Sequence, residues 1–431
     1  MNEIEAVGAD AAAGVWDKLP AKGPSRPWLY SLLIAPSAVL ANGVVQGGVL
    51  SYLARQQGIA GLRTSQIISM LSLPTMIYFL WSPITDFFVR RRTWLLIGGV
   101  LGGLLMAAAF MSGRMDSRSS LVLMFVGACC SQLVVAACGG MMGAIGEERA
   151  KRVAGSFYQG GSLAFGALSV FVLVSMTGKV SQGMLAVAAG AMIAGPALFA
   201  LAAPEQDVIA ESTFKQTMRR VWQEFKSTFL RWKAIPYTLC LGLPVGSGSA
   251  IGLLPGVAQD YGVSGQSVAW MNGIGGALLM AGGSLAASLI PARLRASVVY
   301  LLTGIVNAAS VAVLGFGPMR PGTYFLGIGL YLFTIGTCYA LFTAVVLEFM
   351  GASGKTGSGR YSIINSLGNV PVLYMIVLDG WGGSRWGPRG ISATEAVGGA
   401  VASVVMLAYF LTWGRSIGAT PATRATGGST A

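Results

Sequence analysis

The chain has 431 residues, of which 54% are hydrophobic and 10% are charged, and its mean hydropathy is +0.66. Soluble globular proteins carry about a quarter charged residues, so the composition excludes a soluble domain and predicts a protein embedded in a lipid bilayer. The net charge of +13 does not indicate a nucleic-acid partner, because the basic residues lie in short segments between apolar runs.

Twelve apolar runs follow one another along the chain. Each is long enough to cross the bilayer, since about 20 helical residues span a hydrocarbon core of roughly 30 Å. A barrel would instead show short segments of alternating polarity. The predicted spans lie at about 28–53, 66–88, 94–112, 120–143, 155–176, 183–203, 236–258, 266–290, 297–316, 323–347, 361–381 and 393–413. The pattern predicts an all-α integral membrane protein with twelve transmembrane helices in two six-helix, pseudo-symmetric bundles.

The distribution of basic residues predicts the orientation. Positive segments remain in the cytoplasm, and most of the 29 Lys and Arg residues fall on one side if both termini are placed there. We therefore expect cytoplasmic tails at 1–27 and 414–431, membrane bundles at 28–203 and 236–413, and a cytoplasmic linker at 204–235. The N-terminal tail is acidic and lacks an apolar core, so we do not interpret it as a cleaved signal peptide.

The linker combines apolar and basic side chains at helical spacing. Its apolar residues, three or four positions apart, are Phe214, Met218, Val221, Trp222, Phe225, Phe229 and Trp232. Such a segment is typical of an amphipathic helix on the inner leaflet, where aromatic rings enter the interface and basic residues meet anionic lipid. A helix that only joins the two bundles is the simpler interpretation, and a helix that binds a partner protein is the alternative.

Catalytic and metal-binding patterns do not stand out. The chain has no histidine, and its five cysteines lie in apolar runs without CxxC spacing. The segment GASGKTGSG does not satisfy the phosphate-loop pattern, and no predicted strand precedes it. We therefore predict no enzymatic activity, no cofactor and no metal. An ATP-driven pump would need its ATPase on a separate chain.

The seventh predicted span is interrupted by Pro244, Pro255 and several glycines. Proline removes a backbone donor and bends a helix, and backbone groups freed in this way can line a water-filled cavity. We expect a broken helix at this position.

Neutral polar side chains within the spans form the candidate substrate cavity. Asn42 and Gln46 share one face of the first span, and Tyr361, Asn365 and Asn369 share one face of the eleventh. In hydrocarbon such groups either bond between helices or line a polar cavity, and we favour the cavity for these two faces. The candidate cavity residues are Asn42, Gln46, Gln132, Tyr158, Gln159, Asn272, Tyr339, Tyr361, Asn365 and Asn369.

A small set of charged residues near the ends of the spans forms the candidate gate. Asp86 is distinctive, because an apolar, proline-containing run leads into it and three arginines follow. Its carboxylate could accept hydrogen bonds from amides at the start of a neighbouring helix and hold an inner gate shut. Acids at span ends can also be solvated among the headgroups, an alternative that stays open for Asp260 and Glu348. The candidate gate or coupling residues are Asp86, Arg90, Arg91, Arg92, Glu348 and Asp379.

The stretch LSLPTMIYFLWSPITDFFVRRRTW, at 71–94, carries a family resemblance. It resembles the AmpG-type muropeptide permeases and the related acetyl-CoA transporters of the major facilitator superfamily, whose pattern contains Leu-Pro, Phe-Leu-Trp-x-Pro, Asp and Arg-Arg-Arg-x-Trp. Looser matches lie at 252–264, GLLPGVAQDYGVS, and at 360–381, from RYSIINSLGN to DGW. The resemblance covers all twelve predicted helices but is sharp only in the first stretch.

The resemblance implies a multi-pass permease of the bacterial inner membrane that imports cell-wall muropeptides, with a small-molecule substrate and the proton as coupling ion. We expect a monomer. Some relatives have a tyrosine and an arginine in the fifth span where this chain has Tyr158 and Gln159, and this difference argues against an anionic substrate. Siderophore permeases are similar to the same group, so a siderophore is an alternative substrate. A non-transporting assembly or receptor protein on the same scaffold is the alternative of a different class.

Overall fold

The computed structural model describes residues 26–85, 87, 89–145, 148–203, 213–230, 234–291, 294–352, 363–364 and 366–412. These residues form helices and turns, and none of them belongs to a β-strand. The helices of the first half are α1 Leu29–Val45, α2 Val49–Gln56, α3 Gly61–Met76, α4 Tyr78–Thr85, α5 Arg91–Met111, α6 Arg118–Gly143, α7 Glu148–Met176 and α8 Gln182–Ala202. The linker helix is α9 Phe214–Phe229. The helices of the second half are α10 Ile235–Gly242, α11 Leu254–Val257, α12 Gly265–Asn272, α13 Ile274–Ala287, α14 Ala296–Phe316, α15 Pro321–Ala352, α16 Val370–Trp386 and α17 Pro388–Thr412.

Within the described ranges, eight helical stretches are long and apolar enough to cross a membrane. The pairs α1 with α2 and α3 with α4 pass the same test together, with bends of 47° and 49°, and the number of spans is ten if each bent pair is one span. The two other predicted spans correspond to the broken segment that begins with α10 and to α16, whose helix has 17 residues. The architecture is that of a multi-pass membrane protein.

Proline and glycine cause the breaks in these spans. Gly48, with φ +91°, has the left-handed conformation that separates α1 from α2. Gly246 and Gly248, with φ +58° and +74°, do the same after α10 and lead into a short 3-10 turn, Ser249–Gly252. The seventh span is therefore a broken helix, as its prolines and glycines predict.

Glycines allow close helix crossings inside the first half. A Cβ atom added to Gly103 on α5 would lie 2.7 Å from the carbonyl oxygen of Gly190 on α8. A Cβ added to Gly190 would lie 2.9 Å from the carbonyl oxygen of Gly103. The two backbones thus touch through a pair of reciprocal contacts that leave no room for a side chain at either position.

Among the described residues, four helix pairs join the halves: α2 with α11, α3 with α16, α7 with α12, and α7 with α13. Across the second of these pairs, Ser69 Oγ donates a hydrogen bond of 2.8 Å to the carbonyl oxygen of Leu373. A Cβ added to Gly256 on α11 would lie 3.0 Å from the carbonyl oxygen of Ser51 on α2, so these two backbones are also in close contact.

The linker helix α9 packs against the end of the first half. Phe225 stacks on Phe79 of α4, with ring centroids 5.9 Å apart, and Phe214 meets Phe87 edge to face at 5.5 Å. The helix begins with a capping box, in which Thr213 and Gln216 satisfy each other's backbone N–H groups. The amphipathic helix predicted within 204–235 is therefore present at 214–229, with its aromatic side directed partly to the protein.

Candidate functional site

A cavity of about 560 Å³ lies between the two halves. Helices from both halves line it, together with the 3-10 turn of the broken seventh span. Six of the ten predicted cavity residues belong to the lining: Asn42, Gln46, Gln159, Asn272, Tyr339 and Asn369.

The amide side chains of the lining differ in how far their hydrogen bonds are satisfied. Asn42 donates to Ser162 Oγ at 2.9 Å, and this bond connects α1 to α7 within the first half. Asn272 donates to Tyr324 OH at 3.1 Å, and its own Oδ1 is buried without a hydrogen-bond partner. A buried polar atom that lacks a partner favours a ligand or water that supplies one. Asn272 Oδ1 can therefore accept a hydrogen bond from a bound solute or water once a shift of the cavity wall exposes this buried atom.

The described lining of this cavity contains amide, hydroxyl and apolar side chains but no Asp, Glu, Lys or Arg. Such a surface recognises a solute through hydrogen bonds and van der Waals contacts and offers no counter-ion to a charged group. The geometry suits a polar ligand that is uncharged in the part seated here.

Arg55 precedes α3 and Arg90 follows α4, so the two residues lie at opposite ends of this helix pair. The halves touch at the end of the cavity that carries Arg55. There Arg55 Nη2 donates to Asp260 Oδ1 at 2.9 Å across the two halves. Phe171 and Trp270 meet edge to face nearby, with centroids 4.9 Å apart. We call this end the closed end, and the end that carries Arg90 the basic end.

Two predicted cavity residues lie elsewhere. Gln132 donates to Thr75 Oγ1 at 3.2 Å and lines a separate small cavity within the first half. Tyr158 packs against the apolar cluster that contains Tyr30 and Cys138. Both positions belong to helices with polar groups on more than one face, and the sequence could not show which face meets the second half.

Of the other predicted residues, Tyr361, Asn365 and Asp86 lie outside the described residues, as does the side chain of Glu348 on α15. The arginine triplet is described. Arg90 is exposed, Arg92 is half-buried, and Arg91 donates from Nη1 to the carbonyl oxygen of Gly140 at 2.7 Å.

Asp379 is fully buried, and the sequence prediction missed its neighbour Glu395. Both carboxyl groups contact the hydroxyl of Ser249, which also lines the central cavity. Hydropathy predicts that the twelfth span starts at about residue 393, which would place Glu395 among the headgroups. Helix α17 begins at Pro388 instead, so Glu395 lies about two turns inside it. The sequence signal for this residue was present, since it is an acid beside an apolar run.

Comparison with solved structures finds close agreement in fold. The chain is similar to a peptide transporter POT in complex with sulfate, with a TM-score of 0.66 and 13% identity over 93% of this chain and 97% of that one. It is similar to the nucleoside transporter NupG, with a TM-score of 0.65 and 13% identity over 89% of this chain and 97% of that one. It is also similar to a D-xylose-proton symporter, with a TM-score of 0.63 and 12% identity over 88% of this chain and 95% of that one. The chain has the major facilitator fold. No family model matches the sequence, and no curated protein matches it either.

The major facilitator fold confirms the predicted fold class. In this architecture two related halves face each other, and substrate sites lie at the interface between them. The cavity between α1–α8 and α10–α17 occupies that interface. The AmpG-type subfamily is a finer assignment, and it remains an expectation from the 71–94 stretch.

Proposed function

We propose that the chain is a secondary active transporter that moves a polar organic solute by alternating access. The observation that carries this proposal is the central cavity, whose polar side chains come from both halves and whose closed end is sealed by contacts between the halves. A site at such an interface can change its access when one half rocks against the other. The similar structures are described as nucleoside, D-xylose and peptide transporters, and each of these solutes is a polar organic molecule.

The orientation follows from the charge distribution. If the basic end faces the cytoplasm, the closed end faces outward. Release of the solute to the cytoplasm would then take place through the basic end. Import across the bacterial inner membrane is consistent with that arrangement.

For the substrate we favour a cell-wall muropeptide, on the resemblance at 71–94. The described lining adds a restriction, because it has no cationic side chain for the carboxylates of such a ligand. We therefore assign the uncharged, N-acetylated sugar portion to this cavity. Asn42, Gln159 and Asn272 offer the donors and acceptors that sugar hydroxyl and acetamido groups require.

Uptake into proteoliposomes tests this function. The full chain is reconstituted, and radiolabelled candidates are compared: a sugar-peptide from the cell wall, its sugar portion alone, a siderophore and D-xylose. We expect saturable uptake of the sugar-peptide and competition by the sugar portion alone. If only the siderophore is taken up saturably, the substrate is a siderophore and not a muropeptide. If no candidate is taken up, a non-transporting scaffold is favoured.

A cross-linking arm separates a transporter from a protein that binds without moving its solute. Arg55 and Asp260 are both replaced by cysteine and joined with a short, cleavable bis-maleimide, which locks the closed end. We expect uptake to stop and to return after cleavage. The matched control carries cysteines at Arg114 and Asp116, which form an ion pair within one loop of the first half, and its uptake should be unaffected.

A further inference from the structure

Two buried carboxyl groups lie side by side next to the central cavity. Ser249 Oγ is 2.5 Å from Asp379 Oδ2 and 2.7 Å from Glu395 Oε2. Ser247 Oγ and Tyr331 OH donate to Glu395 Oε1 at 2.8 Å and 2.7 Å. The remaining oxygen of Asp379, Oδ1, is buried and has no hydrogen-bond partner. The four bonds bring together α15, α16, α17 and the broken seventh span.

The hydrogen bonds around this acid pair require a proton. A serine hydroxyl carries one hydrogen atom, yet the Ser249 hydroxyl faces a carboxyl oxygen of each acid. If both acids were ionised, one of these short contacts would place two acceptors against each other with no hydrogen between them. A proton on one carboxyl, donated to Ser249 Oγ, resolves the conflict, because Ser249 can then donate to the other carboxyl.

Among the described residues, no positively charged side chain takes the place of that proton. Two adjacent carboxylates repel each other where water is excluded, and a buried charge without a counter-ion is costly. No Lys or Arg in the described part of the chain forms an ion pair with either acid. The titratable groups that face the pair from its neighbours are the phenols of Tyr331, Tyr339 and Tyr374.

The acid pair lies between two cavities. On one side, Ser249 lines the central cavity. On the other side, Gly380 and Ile391, which adjoin the acids on α16 and α17, line a smaller cavity of about 250 Å³. The ion pair of Arg55 and Asp260 also lines this smaller cavity, so it extends to the closed end. Residues in contact with the acids, or within one helical turn of them, thus line a cavity on each side of the pair.

We propose that Asp379 and Glu395 together form the proton-binding site that couples a proton gradient to solute transport. This proposal rests on the proposed transport function and names the coupling ion and its residues. In the coupling step, a carboxyl O–H bond breaks, and the proton passes to a water molecule in one of the two cavities and leaves a carboxylate behind. Proton return from the other cavity restores the acid.

The broken seventh span connects this site to the solute. Loss of the proton leaves two carboxylates against the single Ser249 hydroxyl, which favours movement of the 3-10 turn that carries Ser249. The turn follows Gly246 and Gly248, whose left-handed conformations break the helix there. Because the same turn lines the central cavity, the protonation state of the acid pair changes the shape of the solute site.

Infrared difference spectroscopy tests the proton site without any solute. The full chain is titrated in detergent, and the carbonyl stretch of protonated carboxyl groups is followed in the wild type, Asp379→Asn and Glu395→Gln. We expect one buried carboxyl band that is lost at high pH and that is absent or shifted in both variants. Asp116→Asn, which removes an acid from an exposed loop, is the matched control and should leave the band unchanged. A band that is identical in all four proteins would overturn the proposal.

Transport measurements then test the coupling. In proteoliposomes with an imposed pH gradient, wild-type accumulation should rise by up to about tenfold per pH unit, since a tenfold concentration ratio balances one pH unit at one proton per solute. Asp379→Asn and Glu395→Gln should lose this accumulation yet retain exchange of labelled for unlabelled solute without a gradient. Exchange by either variant also shows that it is folded. Retained accumulation in both variants, or accumulation driven by a sodium gradient alone, contradicts the proposal.

The two proposals fail separately. If the wild type moves no solute but its carboxyl band titrates and changes in the variants, the transport function fails and the proton site stands. If the wild type transports its solute and neither variant changes the band or the accumulation, the function stands and the acid pair is only structural.

Discussion

Arg55 and Asp260 form an ion pair of 2.9 Å that bridges the two halves at the closed end. Replacing Arg55 with glutamine should favour opening of this end. The effect is limited because the Arg55 side chain is 51% exposed, and such pairs contribute about 0.2–1 kcal/mol, or up to roughly fivefold in the ratio of closed to open protein. Thiol labelling of a cysteine introduced at Ile59, which lines the smaller cavity, measures the opening.

The control for this variant is Arg114→Gln. Arg114 and Asp116 form a pair of 3.0 Å within one loop, and the hydrogen bond to Arg114 lowers the pKa of Asp116. The carboxylate therefore stays ionised at neutral pH, and its pairing is lost only as the pH falls through that lowered pKa. Breaking this pair should leave the labelling rate unchanged. Equal labelling in both variants would mean that the Arg55 bridge does not hold the closed end.

A larger side chain at Gly256 is predicted to prevent the halves from closing at the closed end. A Cβ atom there would lie 3.0 Å from the backbone of Ser51 in the other half, so Gly256→Leu must push α11 away from α2. We expect uptake to fall severalfold and the closed end to become more reactive to thiol reagents, with helical content preserved. Gly183→Leu is the control, because nothing lies within 4 Å of a Cβ at Gly183. Normal uptake by the Gly256 variant would show that this contact is not needed for closure.

Asn272 is predicted to bond the solute through its unpaired Oδ1. Asn272→Ala should weaken binding by about 1–3 kcal/mol, the cost of leaving a polar partner unsatisfied. Tyr324→Phe is a matched control, since it removes the hydrogen bond to Asn272 Nδ2 but leaves Oδ1 in place. Isothermal titration with the sugar portion of the substrate compares the two variants. If the Asn272 and Tyr324 variants lose affinity equally, the loss comes from their shared hydrogen bond and not from Oδ1.

The linker helix α9 should be anchored by Phe225, which stacks on Phe79 and on Trp222. Phe225→Ala should increase hydrogen exchange of the α9 amides, because packing rather than propensity stabilises a helix of this length. Thr213→Ala should affect mainly the first turn, at a cost of about 1 kcal/mol for the lost cap. Gln223→Ala, on the exposed side of the same helix, is the control. Unchanged exchange in the Phe225 variant would show that lipid or the helix itself, and not α4, holds α9.

Hydropathy predicted the helical spans well because each helix buries an apolar surface in lipid as well as in protein. Helices α5 and α6 begin and end within a few residues of their predicted limits. The predicted ends of the spans differ most from the helix ends where polar residues precede the apolar run. That error hid Glu395, since α17 continues outward through a polar turn that hydropathy alone assigns to a loop.

The candidate cavity was predictable in part. Asn42 and Gln46 were identified because two amides on one face of a span need a common polar environment. The sequence predicts the same cavity for Gln132 and Tyr158, but Gln132 bonds to Thr75 and Tyr158 packs in an apolar cluster, both inside the first half. The choice between these outcomes depends on the rotation of each helix about its axis. That rotation is set by contacts with other helices, which a single sequence does not reveal.

The reciprocal contact of Gly103 with Gly190 has a consequence for how strain spreads through the first half. Two backbones that touch without intervening side chains cannot slide or tilt without collision, so α5 and α8 must travel together. A force that tilts α5 at this crossing therefore acts directly on α8, because no flexible side chain lies between the two backbones. The structure can bend more easily at the left-handed glycines and at the contacts between the halves. The first half would then move as a rigid unit, and the broken seventh span would act as its hinge.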